Sequence, residues 1–257
     1  MSSSSDPTVR ETPAGKATGP GTDTLLRTEG LVKQFGGLSA IDGVDFGVPE
    51  GELRCLIGPN GAGKSTLMKL VTGRHDATAG RVYYDGHDVT GLPPHERARL
   101  GVGMKFQVPS VFESLTAAEN VRLPLQRVVD GDLSAPIGAA LDRVGLAGRA
   151  DTPASDLSHG QQQRLEIGMA AALDPDLLLL DEPVAGLSIE ERADIAALVR
   201  ELNDDGITFV VIEHDTDFVE RIADRVTVLH QGEVFREGSF AEISGDDAIR
   251  RIYLGGE

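Results

Sequence analysis

At 257 residues and 40% hydrophobic composition, the chain can bury a substantial core, either as one α/β unit with an inserted subdomain or as two small domains. Its 41 acidic and 24 basic residues leave a formal charge of −17, which argues against nucleic acid as a partner because phosphate backbones are held by a basic face. A single cysteine, Cys55, excludes a disulfide framework and a cysteine metal site, and no apolar run approaches the ~20 residues that span a bilayer.

Residues 1–24, rich in Ser, Pro, Gly and Thr, are predicted to be a disordered tail, and they lack the apolar stretch of a secretory signal. Periodic sequence starts at Leu25. Leu25–Phe35, Ile41–Val48 and Leu53–Ile57 are predicted strands, with Gly36-Gly37 and Pro49-Glu50-Gly51 as turns. Cys55, inside the third strand, reads as a small buried hydrophobe. Residues 81–89 suggest a hairpin around Asp85-Gly86, and Pro93-Pro94 opens a short helix through Arg99. Leu115–Val129, Ile137–Val144 and Gln161–Ala172 then carry apolar residues at helical spacing, which predicts a helical subdomain over about 108–174. Strands are expected again at 177–181, 208–213 and 226–229, separated by helices Ser188–Leu202 and Asp217–Ala223. Residues 233–243 suggest a last hairpin and turn, and a short helix runs from Asp246 to Tyr253. Alternating strands and helices predict an α/β fold around a mostly parallel sheet, with the helical block inserted into it.

Between the third strand and the next helix lies Gly58-Pro59-Asn60-Gly61-Ala62-Gly63-Lys64-Ser65-Thr66, which matches G-x-x-x-x-G-K-[ST] in the strand–loop–helix setting that motif requires. Glycines let backbone N–H groups close around a polyphosphate at a helix N-terminus, whose dipole favours an anion. Lys64 can reach β- and γ-phosphates, and the Ser65 hydroxyl can hold Mg²⁺. Farther on, Leu177-Leu178-Leu179-Leu180-Asp181-Glu182 describes a buried strand that delivers carboxylates to its C-terminal end, where open α/β sheets bind ligands. Asp181 is placed to hold Mg²⁺ through water, and Glu182 to polarise an attacking water.

Leu157-Ser158-His159-Gly160-Gln161 opens a predicted helix, and here the chain resembles the ABC ATPases, whose signature is Leu-Ser-Gly-Gly-Gln. The resemblance runs in order over about 25–240 and implies an ABC ATPase domain over 25–244, with a short C-terminal helix and tail over 245–257. It includes Phe35 as the aromatic that stacks on adenine, Gln107 in the glutamine loop, Ala185-Gly186-Leu187-Ser188 in the D-loop and His214 as the switch histidine. It implies a P-loop NTPase with an N-terminal antiparallel β subdomain, ATP and Mg²⁺ as cofactors, and Gln107 as a further metal and water contact. It also implies a head-to-tail dimer with a copy or a sibling subunit, in which Ser158, His159, Gly160 and Gln161 would face the ATP held by the partner's cradle. A helix N-terminus at Ser158 suits such an anion.

Two positions depart from the pattern. His159 replaces a glycine, either adding charge near the phosphate or merely tolerating the backbone, and Ser188 replaces an acidic residue. His75, His87, His95 and His230 are expected in solvated loops, and Arg97 and Arg99 on a helix face.

Gly101–Gln107, Leu115–Asn120 and Glu182–Leu187 are similar to the ATPases of uptake systems for branched-chain amino acids. Leu157–Gln161, Val226–Gly232 and Ile252–Gly255 are similar to the urea-transporter ATPase within that class. These resemblances imply an energy-coupling subunit at the inner face of a cell membrane, cytoplasmic, bound to permease subunits that dock near Pro109–Thr116 and served indirectly by a solute-binding protein. The alternative is a non-transport ABC ATPase acting on ribosomes or DNA, which the negative charge opposes. Only five basic residues are lysine (Lys16, Lys33, Lys64, Lys69 and Lys105), a lysine-poor acidic balance suited to a cytoplasm rich in salt.

Overall fold

Residues 24–105 and 111–254 are described by the computed structural model of the chain. Its elements are, in order, β1 (Thr24–Phe35), β2 (Leu38–Pro49), β3 (Leu53–Ile57), α1 (Lys64–Val71), β4 (Ala79–Tyr84), β5 (His87–Asp88), α2 (Pro94–Arg99) and β6 (Val102–Lys105). They continue with α3 (Ala117–Leu125), α4 (Ser134–Arg143), α5 (His159–Ala171), β7 (Leu177–Asp181), α6 (Ile189–Asp204), β8 (Thr208–Ile212) and α7 (Thr216–Ile222). The last are β9 (Arg225–His230), β10 (Glu233–Gly238), α8 (Phe240–Ser244) and α9 (Asp247–Leu254).

The strands form two sheets. An antiparallel one has the order β2-β1-β4-β5, and the central one has the order β10-β9-β3-β8-β7-β6. In the central sheet β9, β3, β8, β7 and β6 are parallel, and β10 returns antiparallel on β9. Its middle strands are covered on both faces, so β7 and β8 are buried at every position and read as unbroken apolar runs. Alternate side chains serve two cores. Leu56, Leu177, Leu179, Val210 and Ile212 pack with α1 and the antiparallel sheet, whereas Leu53, Cys55, Leu178, Leu180 and Phe209 pack with the helical side. Burial pushes the Cys55 thiol well up, as expected for a residue that acts as a small hydrophobe.

Several elements differ from their sequence pattern. Strand β6 carries too little periodicity to be read, because Gly103 supplies one of its four positions; a Cβ there would lie 3.1 Å from Leu178 Cδ1 on β7. Helix α3 starts at a capping box of Thr116 and Glu119, runs through Pro124 and stops at Leu125 rather than Val129. Residues 240–244 are a helix, α8, capped by Ser239 and Glu242, where a turn is expected.

Arg97 is the largest correction. It is 2% exposed rather than on an open helix face. Its guanidinium donates to the carbonyls of Leu70 and Val71 (2.7 Å each), Thr90 (2.8 Å) and Leu92 (3.0 Å), so it caps the C-terminal end of α1.

Candidate functional site

Strands β3, β8, β7 and β6 are neighbours and run parallel, so their C-terminal ends share one edge of the sheet. Residues 58–63 leave β3 at that edge, His214 follows β8, Asp181 ends β7 with Glu182 next to it, and β6 leads toward Gln107. Gln107 itself lies outside the described residues. Motifs far apart in sequence therefore meet because the topology delivers each of them to the same place.

The loop from Gly58 to Gly63 enters α1 with its backbone close to other chain segments. A Cβ on Gly58 (φ 154°) would sit 2.2 Å from the carbonyl oxygen of Leu229, and one on Gly63 (φ 106°) would sit 2.5 Å from that of Ala40. Only glycine fits either position. Pro59 accepts from the N–H of Ala62 at 3.1 Å, which closes the loop into a tight arch with Asn60 and Gly61 exposed at its crown. The ammonium of Lys64 folds back over that arch, donating to the carbonyls of Gly58 (2.7 Å) and Pro59 (3.1 Å). Burial lowers the Lys64 pKa from its ordinary value, and the nearby carboxylates of Glu182 and Asp181 oppose that effect. Ser65 and Thr66 lie in the first turn of α1, where free N–H groups favour phosphate oxygens.

Asp181 is 8% exposed. Burial pushes its carboxyl up, as does the charge of Glu182, while Lys105, Lys64 and Lys69 pull it down. Glu182 turns out of the strand in the left-handed region (φ 49°), its N–H held by the carbonyl of Ile212 at 3.0 Å. Its Oε1 lies 3.8 Å from Nδ1 of the exposed His214. Among the described residues no group of three His, Cys, Asp or Glu side chains forms a metal cage. A lone carboxylate plus the Ser65 hydroxyl suits Mg²⁺, which keeps waters and takes phosphate oxygens for the rest of its shell.

Phe35, at the end of β1, leaves 44% of its surface exposed, with His75 edge-on at 5.4 Å and the Lys33 ammonium 4.9 Å from the ring centre. It is a flat, supported, uncovered ring at the rim of the antiparallel sheet.

Ser158 caps α5 in a reciprocal box: its hydroxyl accepts from the N–H of Gln161, whose side chain accepts from the N–H of Ser158. Gly160 donates its N–H to Glu191 at 3.2 Å, and the other oxygen of that carboxylate caps Ser188 at the start of α6. The imidazole of His159 sits against Gly186, where a Cβ would be 3.2 Å from its Cε1. His159 thus packs on its own D-loop, and Ser188 serves as the N-cap of α6.

Three further groups escaped the sequence reading. Glu213, 1% exposed, receives backbone N–H bonds from Val184, His214 and Asp215; a carboxylate directly after five buried residues was the signal for it. Lys105, at the end of β6, pairs with Glu166 of α5 at 3.3 Å, both nearly fully buried. Asn120 holds the turn at 112–116 through the carbonyls of Phe112, Leu115 and Thr116, leaving Phe112 55% exposed. The histidines also divide: His95 is exposed on α2, but His230 ends β9 half-buried against Phe235, with its Nδ1 shielded from solvent. His75 and His87 are likewise half-buried, and His87 lies in β5.

The family model described as ABC transporter matches residues 41–185. The high-affinity branched-chain amino acid transport ATP-binding protein BraF of Pseudomonas aeruginosa is 35% identical over 249 residues, 90% of this chain and 98% of that protein. A crystal structure of the ADP conformation of an ATP-binding cassette from an ABC transporter superposes with a TM-score of 0.83 at 33% identity, over 90% of this chain and 99% of that one. A dimeric cassette in a post-hydrolysis state, bound to ADP and Pi, matches with a TM-score of 0.74 at 31% identity over 84% and 98% of the two chains. With a phosphate cradle, an acidic pair and a histidine converging on one sheet edge, this chain belongs to the ABC transporter family and is one of its ATP-hydrolysing cassettes.

Proposed function

We propose that the chain is the energy-coupling ATPase of a membrane importer for branched-chain amino acids, urea or a related small polar solute. The observation that carries the catalytic part is the 3.8 Å approach of Glu182 to His214 at the edge that also holds the cradle. The kinship with BraF supports the solute class.

In this reading Phe35 stacks on adenine, and the N–H groups of residues 58–66 with Lys64 hold the phosphates. Ser65, Asp181 and Gln107 would hold Mg²⁺, which neutralises phosphate charge when bound. Glu182 accepts the proton of the attacking water while His214 orients it against the γ-phosphate. Ser158, Gly160 and Gln161 of a second subunit complete the site from outside, with His159 beside them on the D-loop. Closure of the two subunits then drives the permease between its states, and hydrolysis resets it. The exposed Phe112, on a turn stiffened by Asn120, suits contact with a membrane subunit near Pro109–Thr116. Among the described residues no helix is long and apolar enough to cross a membrane, so anchoring falls to such partners.

The test is affinity purification of the chain from its native membranes, followed by reconstitution of what co-purifies. Permease subunits and ATP-dependent uptake of labelled leucine or urea are expected. Ribosomes or DNA in their place would overturn the reading, and uptake of neither solute would overturn the solute class.

A further inference from the structure

The strands that carry Glu182 and His214 are joined by main-chain pairing only as far as Asp181 opposite Ile212, with one last bond from the Glu182 N–H to the Ile212 carbonyl. Beyond that point the chain enters two separate turns, and Glu213 spans them. One oxygen of its carboxylate accepts from the N–H of Val184 at 3.0 Å, two residues after Glu182. The other accepts from His214 at 3.0 Å and Asp215 at 3.4 Å. A carboxylate is planar and rigid, so bonds at both ends fix the spacing of the turns as well as tethering them. On the outer side Arg192 makes a parallel link, donating to the carbonyl of Leu187 at 2.9 Å and pairing with Asp215.

Glu213 is an expensive choice for a position that merely needs filling. It is 1% exposed, and burial pushes its carboxyl up despite the three N–H donors. The five residues before it are buried as well, and four of those are apolar.

We propose that Glu213 is a positioning residue: it locks the turn bearing Glu182 to the turn bearing His214, so that both meet the attacking water in one geometry. This rests on the reading of Glu182 and His214 as the reacting pair. It adds that their spacing is set by a third side chain, buried and bonded to the backbone N–H groups of both turns.

The isosteric change Glu213→Gln tests it, because an amide presents an acceptor at one end only and leaves a donor facing a donor at the other. Hydrogen exchange at the amides of 184 and 214–215 is expected to speed up by ~10-fold or more, while those of Leu177–Asp181 and Thr208–Ile212 stay protected. In steady-state assays kcat is expected to fall by about 10- to 100-fold with KM for ATP unchanged, since misplacement costs rate rather than binding. Unchanged exchange at both turns would overturn the proposal, and so would wild-type kcat, or losses of KM and melting temperature in step with kcat. Glu182→Gln is run beside it. If that variant still hydrolyses ATP, the reading of the reacting pair fails; if it is inactive while Glu213→Gln matches wild type, only the positioning role fails.

Discussion

Asp181 is buried beside Glu182, and both effects hold its carboxyl above the ordinary range, so at neutral pH the fold carries an ionised group at a cost. A raised folded-state value means the native chain binds this proton more tightly than the unfolded chain does. The cost is therefore complete above the folded pKa and vanishes as pH falls below the unfolded value of 3.8. Asp181→Asn is expected to melt at a higher temperature than wild type at pH 7, with the gap closing in acid, while ATP turnover falls by about 100-fold or more. Calorimetry across pH checks the first part and an ATPase assay the second; a lower melting point at pH 7 would refute the strain. Phe35, by contrast, is already 44% exposed and bears little of the fold. Phe35→Ala should weaken ATP binding by about 1–3 kcal/mol in titration calorimetry, with no loss of stability. The chemistry at this scale was legible because glycine spacing, a lysine and a terminal acid each mean something locally. Arg97 was not, because Leu70 and Val71 at the end of α1 come near it only in the folded chain, and for Glu213 the bond to Val184 was likewise out of view, although its neighbours His214 and Asp215 were not.

Helix α5 carries the signature residues at one end and, through Glu166, a buried charge that meets Lys105 of β6. Burial lowers the Lys105 ammonium, and Glu166, followed by Asp181 and Glu213, opposes that. Lys105→Ala should destabilise the chain by about 3–5 kcal/mol in urea unfolding, because it strands a buried carboxylate. The double change Lys105→Met with Glu166→Leu should recover most of that loss; no recovery would mean that packing, not charge, governs the joint. This pair also ties the strand leading to Gln107 to the helix that begins at Ser158. The long periodic elements, β7, α6 and α5 among them, were readable to within a residue or two. Strand β6 was not, because an edge strand of four residues containing a glycine has no period to detect.

At the scale of the whole molecule, the signature residues bond within α5 and to α6 of their own chain, and the proposed site, completed across two subunits, would require two chains to meet. Specific ATPase activity of the isolated chain should rise with protein concentration, and each subunit carries a formal charge of −17 that resists the encounter. Added KCl screens that repulsion, so activity at a fixed subunit concentration is expected to increase with salt up to molar levels. Activity that falls steadily with salt would speak against the charge as the obstacle. The parallel sheet and the inserted helices were legible from alternation alone and the separate antiparallel sheet from the family resemblance, whereas the strand order and the sharing of side chains between two cores were not, because pairing partners leave no trace in local pattern. The scarcity of lysine has a practical outcome. Among the described residues the lysines are Lys33 beside Phe35, Lys64 and Lys69 in α1, and Lys105 buried against Glu166. Lys105 is shielded from an amine-directed label, whereas Lys33 and Lys64 flank the proposed nucleotide site, so mass-spectrometric footprinting of those two lysines is expected to show protection when ATP is added.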